Sequence, residues 1–273
     1  MRRLAALVIV VTCLGVLVHD AGGGRFCVLR GAFGIGDLNE LLFDAVRKGR
    51  VAVVRIALRR GAGVGAQNTT GGTPLHVAPI NGHTDIATLL ILQGADANAT
   101  NNDAHRAPLC IAAEGSHEGF VELLMAKGAE VNAKDWQGWT ALHWAAATGG
   151  EGTARLLIDK GAEVDARSGT GQTALHEAAR AGHEAVARLL IRKGADANAS
   201  DDDGRTPLHD AARMGHKDAV KALVNRGANT TAKDSCGRTP LDEAESFNRK
   251  AIADILRRHV GKTANEPDAE AAK

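Results

Sequence analysis

Apolar residues recur along this chain at the i, i+3, i+4 spacing that places one buried stripe on a helix. Ile86, Leu89 and Leu90 form one such stripe, Phe120, Leu123 and Leu124 the next, and Val186, Leu189 and Leu190 another. Each stripe is short and soon followed by glycine, at Gly94, Gly128, Gly161, Gly194 and Gly227. Glycine just past a helix end can take the left-handed conformation that closes it. A shorter helix is predicted ahead of each stripe, opening at Thr-Pro or Thr-Ala. Threonine there is a good N-cap, because its hydroxyl can accept a hydrogen bond from a first-turn amide. Proline at the next position costs nothing, since its missing N–H would have had no helical partner. Leu75 and Ala78 share a face of this helix and Gly82 ends it, so the pattern predicts pairs of short helices joined by turns.

The pairs are periodic. Leu142, Leu175, Leu208 and Leu241 follow one another at intervals of 33 residues, Leu42 lies 33 before Leu75, and one extra loop residue puts Leu109 34 after Leu75. Around them run Thr73-Pro74-Leu75-His76, Ala107-Pro108-Leu109-Cys110, Thr140-Ala141-Leu142-His143, Thr173-Ala174-Leu175-His176, Thr206-Pro207-Leu208-His209 and Thr239-Pro240-Leu241-Asp242. This pattern resembles the ankyrin repeat family, whose 33-residue period and Thr-Pro-Leu-His-x-Ala signature it shares over roughly residues 38 to 259. The resemblance implies an all-α solenoid of about seven helix-turn-helix repeats carrying β-hairpin fingers. The expected units are 37–67, 68–101, 102–134, 135–167, 168–200, 201–233 and 234–259, within a repeat domain spanning 37–259. No single unit can bury its own stripe, so each depends on its neighbours.

The ends read as caps. Asp37-Leu38-Asn39-Glu40 has the spacing of a capping box, and Arg257 stands where Ile91, Ile158 and Ile191 stand inside the stack. The third unit departs from the pattern, with His105 at the turn glycine, Ala107 for threonine and Ser116 for the inter-helix glycine. The fourth carries Gly150-Glu151-Gly152-Thr153 at the start of its second helix. Residues 102–117 and 148–154 are therefore expected to be the loosest parts of the array.

Outside the repeats, Arg2 and Arg3 precede an apolar run from Leu4 to Val18, and Ala21-Gly22-Gly23-Gly24 follows. That order predicts a signal peptide over residues 1–24, with an uncleaved N-terminal anchor as the alternative. The expected location is periplasmic or secreted, with a membrane role only if the segment stays uncleaved. Residues 25–36 read as a linker and 260–273 as a disordered tail. Beyond the signal, Cys27, Cys110 and Cys236 are odd in number and far apart, so they imply no disulfide framework.

Composition narrows the chemistry. The 273 residues include 32 glycines, 6 prolines and no tyrosine, with aromatic residues at 3%. Such a core must be built from closely packed Ala, Leu, Val and Ile. The 33 basic and 32 acidic residues leave a net charge of +1, which does not steer the chain toward nucleic acid. Eleven histidines invite a metal hypothesis, but the resemblance assigns His76, His143, His176 and His209 to bridges between repeats. His83, His117, His183 and His216 recur at the start of the second helices. Gly61-Ala62-Gly63-Val64-Gly65 follows a helix rather than a strand, so it is no phosphate loop. Asp201-Asp202-Asp203 lacks the glycine and glutamate of a calcium loop. No Gly-x-Ser-x-Gly elbow occurs, and no cofactor, metal or small-molecule substrate is expected.

Function therefore rests on a surface. The resemblance implies a non-catalytic protein–protein interaction module, or scaffold, that binds a partner protein through a concave face of fingers and first helices. An inhibitor that plugs an enzyme's active site is the alternative, and metal binding by the histidine ladder a remote one. The variable positions of the signature nominate Trp136, Gln137, Trp139, Gln172, Arg180, Asp202, Asp203, Arg205, Arg213 and Met214. Trp144 joins them, because the chain's three tryptophans lie within nine residues and tryptophan is enriched among binding anchors.

Overall fold

The computed structural model describes the backbone of residues 8–12, 15–19, 27–30 and 35–260, and side chains from Leu38 to His259. The expected signal or anchor and linker fall mostly outside these residues, as does the tail beyond Val260. Three short strands, β1 (Val8–Thr12), β2 (Gly15–His19) and β3 (Cys27–Arg30), pair antiparallel in the order β1-β2-β3.

The rest is helical. In chain order the pairs are α1 (Ile35–Arg47) with α2 (Val51–Arg59), α3 (Pro74–Ile80) with α4 (Thr84–Leu92), and α5 (Pro108–Glu114) with α6 (Glu118–Ala126). They continue with α7 (Ala141–Thr148) and α8 (Glu151–Asp159), α9 (Ala174–Ala181) and α10 (Glu184–Arg192), and α11 (Pro207–Met214) and α12 (Lys217–Val224). The last pair is α13 (Pro240–Ser246) and α14 (Lys250–Val260). Every first helix packs on the next first helix and every second helix on the next second helix, so one continuous core runs the length of an all-α solenoid.

The core is aliphatic. Leu75, Leu142, Leu175 and Leu208 are buried at the same position of successive repeats, and Ile86, Phe120 and Val186 are buried in the second-helix stripe. Full burial of one such leucine contributes about 2 kcal/mol. First helices carry small residues at their contacts, including Ala78, Ala112, Ala145, Ala178 and Ala211, all buried. They pack more closely on one another than the second helices do, so the stack curves toward the first helices and fingers.

Histidine locks four of the first helices, α3, α7, α9 and α11, in a different manner from the simple threonine cap. The amide of Thr73 donates to Nδ1 of His76 at 3.0 Å, and the Thr73 hydroxyl lies 2.8 Å from the same nitrogen. Thr140 with His143, Thr173 with His176 and Thr206 with His209 repeat the arrangement. Because Nδ1 accepts, the ring proton sits on Nε2, which donates to a carbonyl of the following repeat: Arg106, Gln172, Arg205 and Arg238 at 3.0 to 3.1 Å. At Thr239 aspartate replaces the histidine: the hydroxyl donates to Oδ2 of Asp242 at 2.7 Å and accepts from the Asp242 amide at 3.2 Å. Both nitrogens of each signature histidine are thus occupied, and a metal would have to break the bridge between repeats.

The fingers differ from the expected β-hairpins. Between Ile35 and Val260 they are turns without strands. Adjacent fingers share a single backbone bond, such as Trp136 N–H to Ala104 O at 3.1 Å and Gly169 N–H to Gln137 O at 2.7 Å, too sparse for a ladder. Each finger is closed instead by one polar side chain that accepts from two amides. Oδ1 of Asp135 takes those of Gln137 and Trp139, both at 2.9 Å, and Asp201 and Asp234 do the same in their repeats. Fingers approach closely: a Cβ on Gly138, at φ +75°, would lie 2.5 Å from the Gly169 nitrogen.

The irregular units are intact. Gly149, at φ +80°, holds the inter-helix turn, Gly150 is the N-cap of α8, and the helix starts at Glu151. In the third unit His105 and Ser116 take φ +47° and +54°, the left-handed region that glycine fills in most other repeats and Asn248, at φ +56°, in the last. At the ends, α1 begins at Ile35, two residues ahead of the expected Asp37 cap, because the helix continues through that box. Arg257 is exposed and pairs with Glu245 at 2.7 Å and Asp254 at 3.1 Å.

Candidate functional site

The nominated residues all fall on fingers or on first helices, but they do not form one exposed patch. The tryptophans divide. Trp144, on α7, is half-buried: its indole N–H donates to Oδ2 of Asp135 at 3.1 Å. The Arg106 guanidinium lies 4.0 Å from its ring centre, and Trp139 packs at 4.7 Å between ring centroids, tilted by 54°. Trp144 is therefore a packing residue sandwiched between two repeats. Trp139 also lies 5.9 Å from the His143 ring, and is half-buried. Trp136 has no such support and is 66% exposed.

Trp136 and Trp139 form one wall of a groove of about 610 Å³, completed by Gln137, Thr170, Gln172 and Arg180. An indole face, two primary amides, a hydroxyl and a guanidinium make a mixed apolar and hydrogen-bonding surface, which is the chemistry of a binding anchor's surroundings.

The charged candidates are partly engaged within the protein. Arg180 pairs with the buried Glu177, and Arg205 with the exposed Asp203 at 2.9 Å. Asp202 lies 3.6 Å from Arg167. Arg213 stacks over Phe247 at 5.0 Å, while Met214 is 46% exposed beside it. Arg106, engaged by Glu114 at 2.7 Å, orients the Trp144 ring.

Sequence reading missed a row of carboxylates beneath these arginines. The residue after the signature histidine is apolar in the first half of the array, at Val77, Ile111 and Trp144, and acidic in the second half, at Glu177, Asp210 and Glu243. All three acids are buried. Glu177 forms an ion pair with Arg180 and Glu243 one with Arg238 at 3.0 Å, whereas Asp210 has no ion-pair partner among the described residues; Oε1 of Glu177, Oδ2 of Asp210 and both Glu243 oxygens are buried without a hydrogen bond. Burial, and then the charges of Asp201 and Glu177, push the Asp210 carboxyl up to about 7. The variable x of the signature was the available signal, since three successive acids there are visible in the sequence.

Known proteins agree with this architecture. The ankyrin repeat model (three copies) matches residues 42–135, 92–168, 135–201, 151–234 and 194–268. The chain belongs to the ankyrin repeat family. It is similar to protein phosphatase 1 regulatory subunit 27 of Homo sapiens, 42% identical over 62 residues, which is 23% of this chain and 40% of that protein. The Mus musculus protein of the same name matches equally. A probable E3 ubiquitin-protein ligase of Oryza sativa subsp. japonica is 31% identical over 120 residues, 43% of this chain and 23% of the ligase. The chain thus matches less than half the length of each of these curated relatives. Ankyrin repeats are in general non-catalytic protein–protein interaction modules.

Proposed function

We propose that this chain is a non-catalytic scaffold that holds a partner protein in the groove between its fingers and first helices, with Trp136 as the principal anchor. The observation that carries this reading is an indole 66% exposed at the mouth of a mixed-polarity groove, in a chain that otherwise spends few aromatic residues. An exposed ring of that size without a partner is an aggregation hazard. The match to a phosphatase regulatory subunit supports protein binding, while that relative's own partner stays with the relative. Export is part of the same proposal, and it stands on the Arg2-Arg3, apolar and small-residue order of residues 1–24.

A photo-reactive amino acid placed at Trp136 or Gln172, and as a control at the exposed Glu122 on the second-helix side, tests the reading in extract of the native host. The expected result is one protein captured from both groove positions and not from Glu122, which then binds the purified chain and loses affinity for Trp136→Ala. Capture from Glu122 alone, or full affinity in the variant, would overturn it.

A further inference from the structure

The second-helix side of the array carries a charge asymmetry that partner binding in the groove does not use. Four arginines on or capping α2, Arg50, Arg55, Arg59 and Arg60, are exposed in the first repeat, and Arg47 at the end of α1 is a fifth within the same fourteen residues. Among the described residues none of them forms an ion pair. The nearby carboxylate of Asp44 is taken by Lys48 at 2.7 Å.

Later repeats show what is missing. Arg155 and Arg188 stand at the repeat position of Arg55, and each is neutralised four residues back, by Glu151 and Glu184 at 2.6 Å. Val51 stands at that position in the first repeat. Asp159 receives Lys193 at 2.7 Å, and the first repeat has Arg59 in its place. The first repeat thus lacks the carboxylates that the fourth and fifth repeats set beside their basic residues, and its guanidinium groups are left unneutralised.

The same face is apolar between the charges. Arg55, Leu58 and Arg59 of α2 meet Leu89 and Gln93 of the next repeat around a groove of about 210 Å³. Leu92, one turn beyond Leu89 on α4, is 67% exposed. Guanidinium groups that match a phosphate bidentately, set beside half-buried and exposed leucines, suit the boundary between lipid headgroups and acyl chains. Nucleic acid would be better served by a longer basic track with aromatic rings for stacking, and this face has neither.

We propose that the outer face of the first two repeats docks on an anionic phospholipid membrane, with lipid phosphates held at Arg55 and Arg59 and Leu92 pressed into the interface. The stack then stands with its first repeats against the membrane and its Trp136 groove clear of it.

Flotation of the full 273-residue chain with phosphatidylcholine vesicles, with and without phosphatidylglycerol, tests this. The chain is expected to float with the anionic vesicles, to be released by salt, and to bind neutral vesicles far less. The double variant Arg55→Glu/Arg59→Glu is expected to lose about tenfold or more of the anionic binding with an unchanged thermal melt. The matched reversal Arg188→Glu/Arg192→Glu, on the fifth repeat, is expected to keep it. Equal binding to neutral vesicles, or anionic binding unaffected by the first-repeat reversal, would overturn the proposal. So would equal loss from the fifth-repeat reversal, or binding to a DNA duplex as tight as to the anionic vesicles.

Discussion

Trp144 donates its indole N–H to the same Asp135 carboxylate whose other oxygen closes the finger of the fourth repeat. One aspartate therefore couples a first helix to the finger that precedes it, and the three tryptophans inherit different roles from that bond.

Replacement should separate those roles. Trp144→Ala removes packing between repeats and leaves an oxygen of Asp135 without its donor, so it should cost about 3 kcal/mol in urea unfolding. Trp139→Ala should cost about 1 kcal/mol, because its ring stacks on Trp144. That differs from the expectation for a free finger residue. Trp136→Ala should change stability by less than about 0.5 kcal/mol while weakening partner binding by about 2 kcal/mol. Equal destabilisation by all three variants would refute the division.

The histidine bridges make the stack acid-sensitive. Burial lowers the proton affinity of His76, His143, His176 and His209, most clearly His143, which falls from 6.5 to about 4. Between those values the unfolded chain binds more protons than the folded one, so this contribution is complete above about pH 6.5 and is lost as the pH falls toward 4. Asp210 works in the opposite sense. Its raised carboxyl favours the folded state at low pH, and that contribution is lost as the pH rises from 3.8 through about 7. Asp210→Asn should therefore have little effect near pH 4 and stabilise the protein increasingly as the pH rises, by up to about 4 kcal/mol at pH 8. Urea midpoints across this range measure both trends, and a pH-independent effect of Asp210→Asn would contradict the second.

The last repeat should act as a lid on the core. Val220 and Leu223 are fully buried, and α14 covers α12 with Ile252, Ile255 and Leu256 on its buried side. Removing residues from 236 onward should expose that stripe, broaden the thermal transition and lower its midpoint. A truncated chain that melts as sharply and at the same temperature would show that the stack closes without it.

Two residues of the third repeat carry avoidable backbone strain. His105 and Ser116 occupy left-handed conformations that most other repeats give to glycine and the last gives, at the Ser116 position, to Asn248 (φ +56°), a residue that tolerates them better. Ser116→Gly and His105→Gly should each stabilise the third repeat by about 1 kcal/mol, read as a rise in melting temperature. No rise in either variant would mean that the side chains compensate for the strain.

Much of this was legible before any coordinates. The 33-residue recurrence of Leu142, Leu175, Leu208 and Leu241 sets the unit and its helices, and Gly94 and its copies mark where second helices stop. Even the strained positions are visible, because His105 and Ser116 interrupt a register that demands glycine. The Trp136, Trp139 and Trp144 cluster is equally plain as a cluster. Its division into an exposed anchor and a packed pair is not, since it depends on Arg106 arriving from the preceding repeat.

By itself the sequence determined the period and the helix pairs, because these follow from local propensity and from apolar positions repeated at a constant separation, and the bridging histidines were implied by the family resemblance that this period carries. Only the tertiary structure decided which arginine meets which carboxylate. Arg180 reaches Glu177 and Arg238 reaches Glu243, yet Arg205 turns to Asp203 and Arg213 to Phe247, leaving Asp210 buried without an ion-pair partner among the described residues. Long, flexible side chains choose among partners about equally close in sequence, and their choice depends on the depth and neighbours that stacking creates.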